Sequence, residues 1–325
     1  MIEKILSDMP KNKTIMDNFI IAYSKINSDL YHSPVCSVSG GADSDIMLDI
    51  CTKCDKDKKI SYVWFDTGLE YQATKDHLKF LEEKYNITIE HCKAAKPIPT
   101  TCKTYGQPFL SKHVSDMMER LQRHNFQWED ESFEALSQKY PKCLGALKWW
   151  CCAWGEGSHF NITQNKYLKE FILSNPPTFK ISKKCCQYAK KDVIHKYITS
   201  NNHDLNIYGV RKAEGGIRSV AYKNCFTENE GECDDYRPLF WYMNEDKEDY
   251  ENYYGVTHSD CYTKYGLKRT GCAGCPFNRN FEEELDIIKT YEPKLFKAVN
   301  NIFGDSYEYT RKYKEFCKKQ SQIES

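Results

Sequence analysis

The residues best suited to chemistry are SerGlyGlyAlaAspSer at 39–44, which follow a β-like run and precede a helical one. Glycines let backbone amides approach phosphate oxygens closely, and the free N–H groups and positive end of a helix then hold the anion. The Ser39 and Ser44 hydroxyls add donors, and Asp43 would position either a metal ion or the loop itself. The stretch lacks the GlyLysSer/Thr ending of a Walker loop, which argues against a kinase-like phosphate site. AspThrGly at 66–68 closes the next β-like run, at the strand end where open parallel sheets bind ligands. The bland alternative is a glycine-rich strand-to-helix turn, and the second motif weighs against it.

Cysteine supplies the other chemistry, with CysCys at 185–186 and CysAlaGlyCys at 272–275 among 16 cysteines. A two-residue gap lets Cys272 and Cys275 face one metal centre around a turn relaxed by Gly271 and Gly274 and ended by Pro276. Four thiolates suit zinc or a [4Fe-4S] cluster, and the diverging side chains of a tandem pair fit separated irons more easily than one small ion. Cys143, Cys151, Cys152, Cys225 and Cys233 form a rival set, and Cys51 and Cys54 a weaker pair at a helix end. Against all of these stands the ordinary buried thiol.

Positioning these groups requires alternating elements. An amphipathic helix at about 13–29 precedes a strand at 35–39, a helix around 46–51, a strand at 60–65, a helix at 71–86 and a strand at 87–90. Another strand follows at 205–210. The pattern predicts an α/β fold, a Rossmann-like parallel sheet with flanking helices. Residues from about 100 to 180 read as a helical, Cys-rich insertion, and the chain from 224 as loop-rich and then helical. The expected division is a nucleotide-binding α/β domain at 1–223 and a C-terminal region at 224–325 carrying the Cys-x-x-Cys half of the cluster site.

The chain has 325 residues, 40% hydrophobic and 14% aromatic, enough to build a core, with 46 basic and 46 acidic side chains. Zero formal charge gives no global field toward nucleic acid or membrane, so such partners would need a local patch. Residues 177–200 hold six lysines and one acid, and 224–252 ten acids and two bases, a contrast that solvated faces also explain. Nucleic acid stays open through 180–196, Lys268, Arg269 and Arg279, without a recognised binding module. The apolar runs are too short to span a bilayer, and the first residues carry acids without a leader-like apolar block. The expected location is the cytoplasm, where reduced thiols serve metals and redox chemistry.

The 39–44 motif resembles the PP-loop ATP pyrophosphatase group, the adenosine nucleotide alpha-hydrolase superfamily. Within it the chain is most similar to the phosphoadenosine phosphosulfate and adenylyl-sulfate reductase family. GlyValArgLysAlaGluGlyGlyIleArg at 209–218 and ArgProLeuPheTrp at 237–241 also resemble that family, and the likeness runs from about 33 to 280. It implies that Ser39, Gly40, Gly41, Asp43 and Ser44 hold the pyrophosphate of an adenosine nucleotide, ATP or adenylyl sulfate, with Mg²⁺. Asp66, Thr67 and Gly68 would lie near metal or ribose, and Gly209, Arg211 and Arg218 near the phosphates. Either arginine could instead be a surface ion-pair partner, Arg211 with Glu214 for example.

Cys185, Cys186, Cys272 and Cys275 would hold [4Fe-4S], with zinc as the alternative, and Lys190 would lie near cluster and substrate. Asp43, Lys190, Arg211 and Arg218 are thus the expected catalytic residues. An intact SerGlyGlyXaaAspSer is similar to relatives that cleave ATP to AMP and pyrophosphate to adenylate an oxygen for sulfur transfer. The alternative is a sulfonucleotide reductase releasing sulfite. The chain lacks that family's GluCysGlyLeuHis-like segment, and its last cysteine is Cys317 in GluPheCysLysLys. A third reading is a non-catalytic nucleotide-binding zinc module. The expected partners are an adenosine nucleotide, a sulfur donor or reductant protein, and a second copy of the chain, with no membrane.

Overall fold

The computed structural model describes residues 2–215 and 221–324. They divide into two compact units, 1–95 with 190–272, and 96–189 with 273–325. The boundary expected at 223 falls inside the first unit, because the segment after it adds strands to the sheet.

The first unit is a six-stranded sheet in the order β3-β2-β1-β4-β6-β5. Its strands are β1 (Pro34–Ser37), β2 (Ser61–Asp66), β3 (Ile89–Lys93), β4 (Leu205–Tyr208), β5 (Phe226–Thr227) and β6 (Asp234–Tyr236). All neighbours are parallel except β5 and β6, so the sheet is the Rossmann-like α/β fold that the alternation predicts. The third strand starts two residues later than its apolar pattern implied and runs on through charged Lys93.

Both faces are covered, as parallel sheets require. Cys36, Tyr62 and Trp64 join one core with Ile15, Phe19, Leu78, Leu81 and Tyr250, drawn from the helices Lys13–Ile26, Gln72–Tyr85 and Asn244–Tyr254. Val35, Val63 and Phe65 turn to the other face, where they meet Tyr197 and Ile198 of the helix Asp192–Ser200. The period-two alternation of β1 and β2 thus separates two cores.

The loop-rich reading from 224 missed β5 and β6. β5 has two residues, and β6 opens with two aspartates, poor strand formers whose carboxylates work as acceptors here. Asp234 takes the Tyr31 hydroxyl at 2.6 Å and the Asn229 N–H at 2.8 Å, and Asp235 takes the Asn206 amide at 3.0 Å.

The second unit is helical, in agreement with the vanishing strand signal from 100 to 180. Its core gathers Phe109, Leu121, Trp149, Trp150 and Phe171 with Tyr309 and Tyr313 of the long helix Pro293–Ile323. Among the described residues its only strand-like pairing is a bridge between Gln107 and Ile181. No described helix is long and apolar enough to cross a membrane.

Candidate functional site

Strand β1 lies between β2 and β4, so the chain leaves it toward one edge and later fills the other. This is the switch point at which open α/β sheets leave a crevice beyond their strand ends. The 39–44 loop occupies it, joining β1 to the helix Ala42–Cys54. Gly40 has φ +65°, and a Cβ there would come 3.0 Å from Thr74 Cγ2, so the position suits glycine. Gly41 is the helix N-cap and supplies no side-chain cap. The Ser39 N–H donates to Ser44 Oγ at 2.9 Å, folding the loop back on the first turn. A Cβ on Gly41 would lie 3.3 Å from the Tyr262 and Thr270 hydroxyl oxygens, which hydrogen-bond each other at 2.8 Å.

After β4 the chain returns to this loop. Gly209 packs on the Asp43 backbone, where an added Cβ would sit 3.4 Å from the carbonyl oxygen. Arg211 is buried; its Nε donates to Asp43 Oδ2 at 3.0 Å and its Nη1 to Asn244 Oδ1 at 3.1 Å. The surface pairing with Glu214 is therefore not its arrangement. Lys247 Nζ takes the other Asp43 oxygen, Oδ1, at 3.1 Å. Burial works against ionising Asp43, but the Lys247 and Arg211 charges outweigh it and hold its carboxyl below the usual range. Both Asp43 carboxylate oxygens are thus engaged by cations. Arg218 lies outside the described residues.

Two positions along the same helix, Asp45 is almost wholly buried. Its Oδ2 meets His258 Nδ1 at 2.8 Å and His77 Nε2 at 3.1 Å, and His258 Nε2 meets Glu251 Oε1 at 2.8 Å. Lys247 lies 3.5 Å from the same Glu251 oxygen, which closes a chain of charges beneath the loop. Burial pulls the His258 pKa down, but the hydrogen bonds and charges of Asp45 and Glu251 prevail and bring it to about 9.

At the end of β2, Asp66 accepts the Gly68 N–H at 2.7 Å and pairs with His91 Nε2 at 2.8 Å. Thr67 Oγ1 donates to Glu70 Oε1 at 2.6 Å and lies 3.7 Å from Cys272 Sγ. Burial pushes the Glu70 carboxyl up to about 7, although the Thr67 hydroxyl and the Lys190 charge pull the other way. Lys190, expected near cluster and substrate, is thus an electrostatic neighbour of Glu70. A half-buried carboxyl poised near neutral pH beside a strand-end motif suits proton transfer.

The expected thiol ligands fall in different parts of the chain. Cys272 closes the first unit, whereas Cys185, Cys186 and Cys275 belong to the second. Buried Cys185 hydrogen-bonds with the buried thiol of Cys102, which pushes its pKa up, and its other thiol neighbours are Cys186 and Cys275. Cys102, on the helix Ile98–Tyr105, has no spacing partner in the sequence to mark it. Gly274, at φ +62°, donates its N–H to Glu284 Oε1 at 2.9 Å, and a Cβ there would come 2.7 Å from the Tyr307 hydroxyl. Among the described residues no group of three or more His, Cys, Asp or Glu side chains is arranged to hold a metal ion.

The rival cysteines have structural partners. Cys143, Cys151 and Cys317 direct their thiols to the carbonyls of Tyr140, Glu131 and Lys166 at 3.6, 3.8 and 3.6 Å. Cys152 lies 3.9 Å from Thr163 Oγ1, and Cys233 donates to the Asp234 carbonyl at 3.6 Å. Cys225 is half-buried, with its backbone N–H on Asn224 Oδ1 at 2.9 Å. Cys51 and Cys54 are in the core beside Cys36. Arg237 is also structural: wholly buried, it donates to the Tyr208 hydroxyl at 2.7 Å and to the Asn224 carbonyl at 3.2 Å.

This sheet, with its glycine-rich loop at the switch point, defines a Rossmann-like α/β protein. Residues 33–138 match the family model described as phosphoadenosine phosphosulfate reductase domain. Solved structures similar to the chain include three of differing activity. The phosphoadenylyl-sulfate (PAPS) reductase from Candida auris, in a phosphate complex, aligns with TM-score 0.42 and 12% identity over 83% of this chain and 93% of that one. The NH3-dependent NAD synthetase from Campylobacter jejuni aligns with TM-score 0.37 and 12% identity over 91% and 95%. The U34-tRNA thiolase NcsA from Methanococcus maripaludis, with its [4Fe-4S] cluster, aligns with TM-score 0.38 and 11% identity over 93% and 78%. No curated protein matches the chain at a significant level.

Proposed function

We propose that the chain is a PP-loop enzyme that binds ATP at the 39–44 loop and transfers its adenylyl group to a substrate oxygen with release of pyrophosphate, AMP leaving when a sulfur nucleophile displaces the adenylated oxygen. The observation that carries this reading is the convergence at the sheet's switch point. The helix Ala42–Cys54 begins there without a side-chain cap, and Arg211 and Lys247 are held beside it by Asp43. Helix amides and two cations can hold a pyrophosphate and spread the charge that develops as it leaves. Adenylation turns a poor leaving oxygen into a good one, so the protein's task is orientation and charge stabilisation. Glu70, with Thr67 across its carboxyl, is suited to take or return a proton.

The thiols fit a [4Fe-4S] group by their chemistry, since Cys185 is buried among Cys102, Cys186 and Cys275. Such a group would supply electron or sulfur relay chemistry there. The half-buried Cys317, its thiol on the Lys166 carbonyl, does not favour attack on an adenylyl sulfate.

The test is pyrophosphate release from ATP by anaerobically purified protein. The expected result is turnover that falls at least about tenfold in Arg211→Ala, the loss of one charge-stabilising contact. Sulfite release from adenylyl sulfate without pyrophosphate release from ATP would overturn the adenylation reading. So would nucleotide binding without turnover in a zinc-containing protein.

A further inference from the structure

The second unit contains a cavity of about 510 Å³ bounded by the helix Lys112–Arg123, the turn into Leu144–Trp150, and the residues that bracket Cys185 and Cys186. Its charge is one-sided. Arg120, Arg123, Lys142, Lys183 and Lys184 face two carboxylates, Asp116 and Glu119, with His124 also on the wall. Both carboxylates are already committed. Asp116 pairs with Arg120 at 3.0 Å and Lys183 at 3.1 Å, whereas Glu119 takes Lys184 at 2.8 Å and the Ser182 hydroxyl at 2.9 Å.

These pairs have two consequences. They fix three cationic side chains against the wall, which lowers the entropy lost when a ligand binds. They also leave Arg123 and Lys142 with no ion-pair partner among the described residues. No Phe, Tyr or Trp ring lines the cavity, so it lacks the broad stacking surfaces that hold bases. What it offers is clustered positive charge in a concave wall, including two guanidinium forks suited to the paired oxygens of a phosphate. The volume is that of a ligand site rather than a single-ion cleft.

We propose that this cavity binds the phosphate groups of a polyphosphate or phosphodiester ligand, as a second anion site distinct from the 39–44 loop. It reads charge and not base identity. The site does not depend on the chemistry proposed for the first unit, and its position beside Cys185 and Cys186 would bring a phosphate-bearing substrate to the thiol-rich turn.

The test uses the full chain and the double variant Arg123→Glu/Lys142→Glu. Fluorescence anisotropy follows a short oligothymidylate, its neutral methylphosphonate analogue serves as control, and calorimetry follows inorganic tripolyphosphate. The expected result is binding of at least one charged probe that weakens at least tenfold in the double variant, with no binding of the neutral analogue. For the oligonucleotide, the slope of log affinity against log salt should fall by about 1.4, two contacts at roughly 0.7 each on a single strand. Weakening of the oligothymidylate assigns the site to a nucleic-acid backbone; weakening of tripolyphosphate alone assigns it to a small polyphosphate. Unchanged affinities, equal binding of the neutral analogue, or no binding of either charged probe would overturn the proposal. ATP binding measured in parallel stays unchanged if the two sites are separate, and Gly41→Val, which crowds the loop, removes ATP but not the oligothymidylate.

Discussion

His258 should make the first unit's stability depend on pH. It sits between Asp45 and Glu251, with His77 on the Asp45 oxygen and Lys247 on the Glu251 oxygen, and its pKa is about 9. In the unfolded chain a histidine titrates near about 6.5. A folded pKa above the unfolded one gives stability that is complete below about 6.5 and lost as pH rises through about 9. The difference corresponds to about 3 kcal/mol at roughly 1.4 kcal/mol per pH unit. Because the His258 side chain is 16% exposed, water screens part of it, and about 2 kcal/mol is the working figure. His258→Gln keeps an amide that can donate to one carboxylate but removes the charge. Thermal melts from pH 6.5 to 9.5 should show the wild type losing about 4–8 °C relative to the variant across the window. A gap between the two that stays constant over that range would refute the assignment of the charge to His258.

Two further expectations concern the crevice. Gly40→Ala forces a side chain into the left-handed region with Thr74 at 3.0 Å, and should cost about 1–2 kcal/mol in chemical denaturation while weakening nucleotide binding. Glu70 has a folded pKa of about 7, above that of an unfolded glutamate, so its contribution to stability is full below about 4.5 and lost as pH rises through 7. Glu70→Gln should therefore flatten the melting temperature between pH 5 and 8; an unchanged slope would place the titration elsewhere.

The sheet's main strands were legible because β1 and β2 are short apolar runs, β4 alternates buried and half-buried residues, and the helices between them keep their own period. β5 and β6 were not, since a two-residue strand has no periodicity and Asp234 and Asp235 read as solvated charge. The loop glycines and Arg211 could be found from sequence because glycine and arginine mark phosphate chemistry at fixed spacing. Lys247, Asp45, His77, His258 and Glu251 could not, because their convergence is a property of the fold and no spacing announces it. Lys247 and Glu251, i and i+4 on one helix, were the available hint. Cys102 escaped for the same reason: it lies 83 positions before Cys185, to which it hydrogen-bonds.

The double grip on Asp43 also bears on what the crevice does before substrate arrives. Its carboxylate acts as a resident counter-ion for Arg211 and Lys247, so the pair presents little unshielded charge to chloride or other stray anions. An incoming pyrophosphate must outbid that carboxylate for the same two cations. Discrimination then favours ligands of high charge density, and capture becomes an exchange of partners rather than the filling of a bare positive hole.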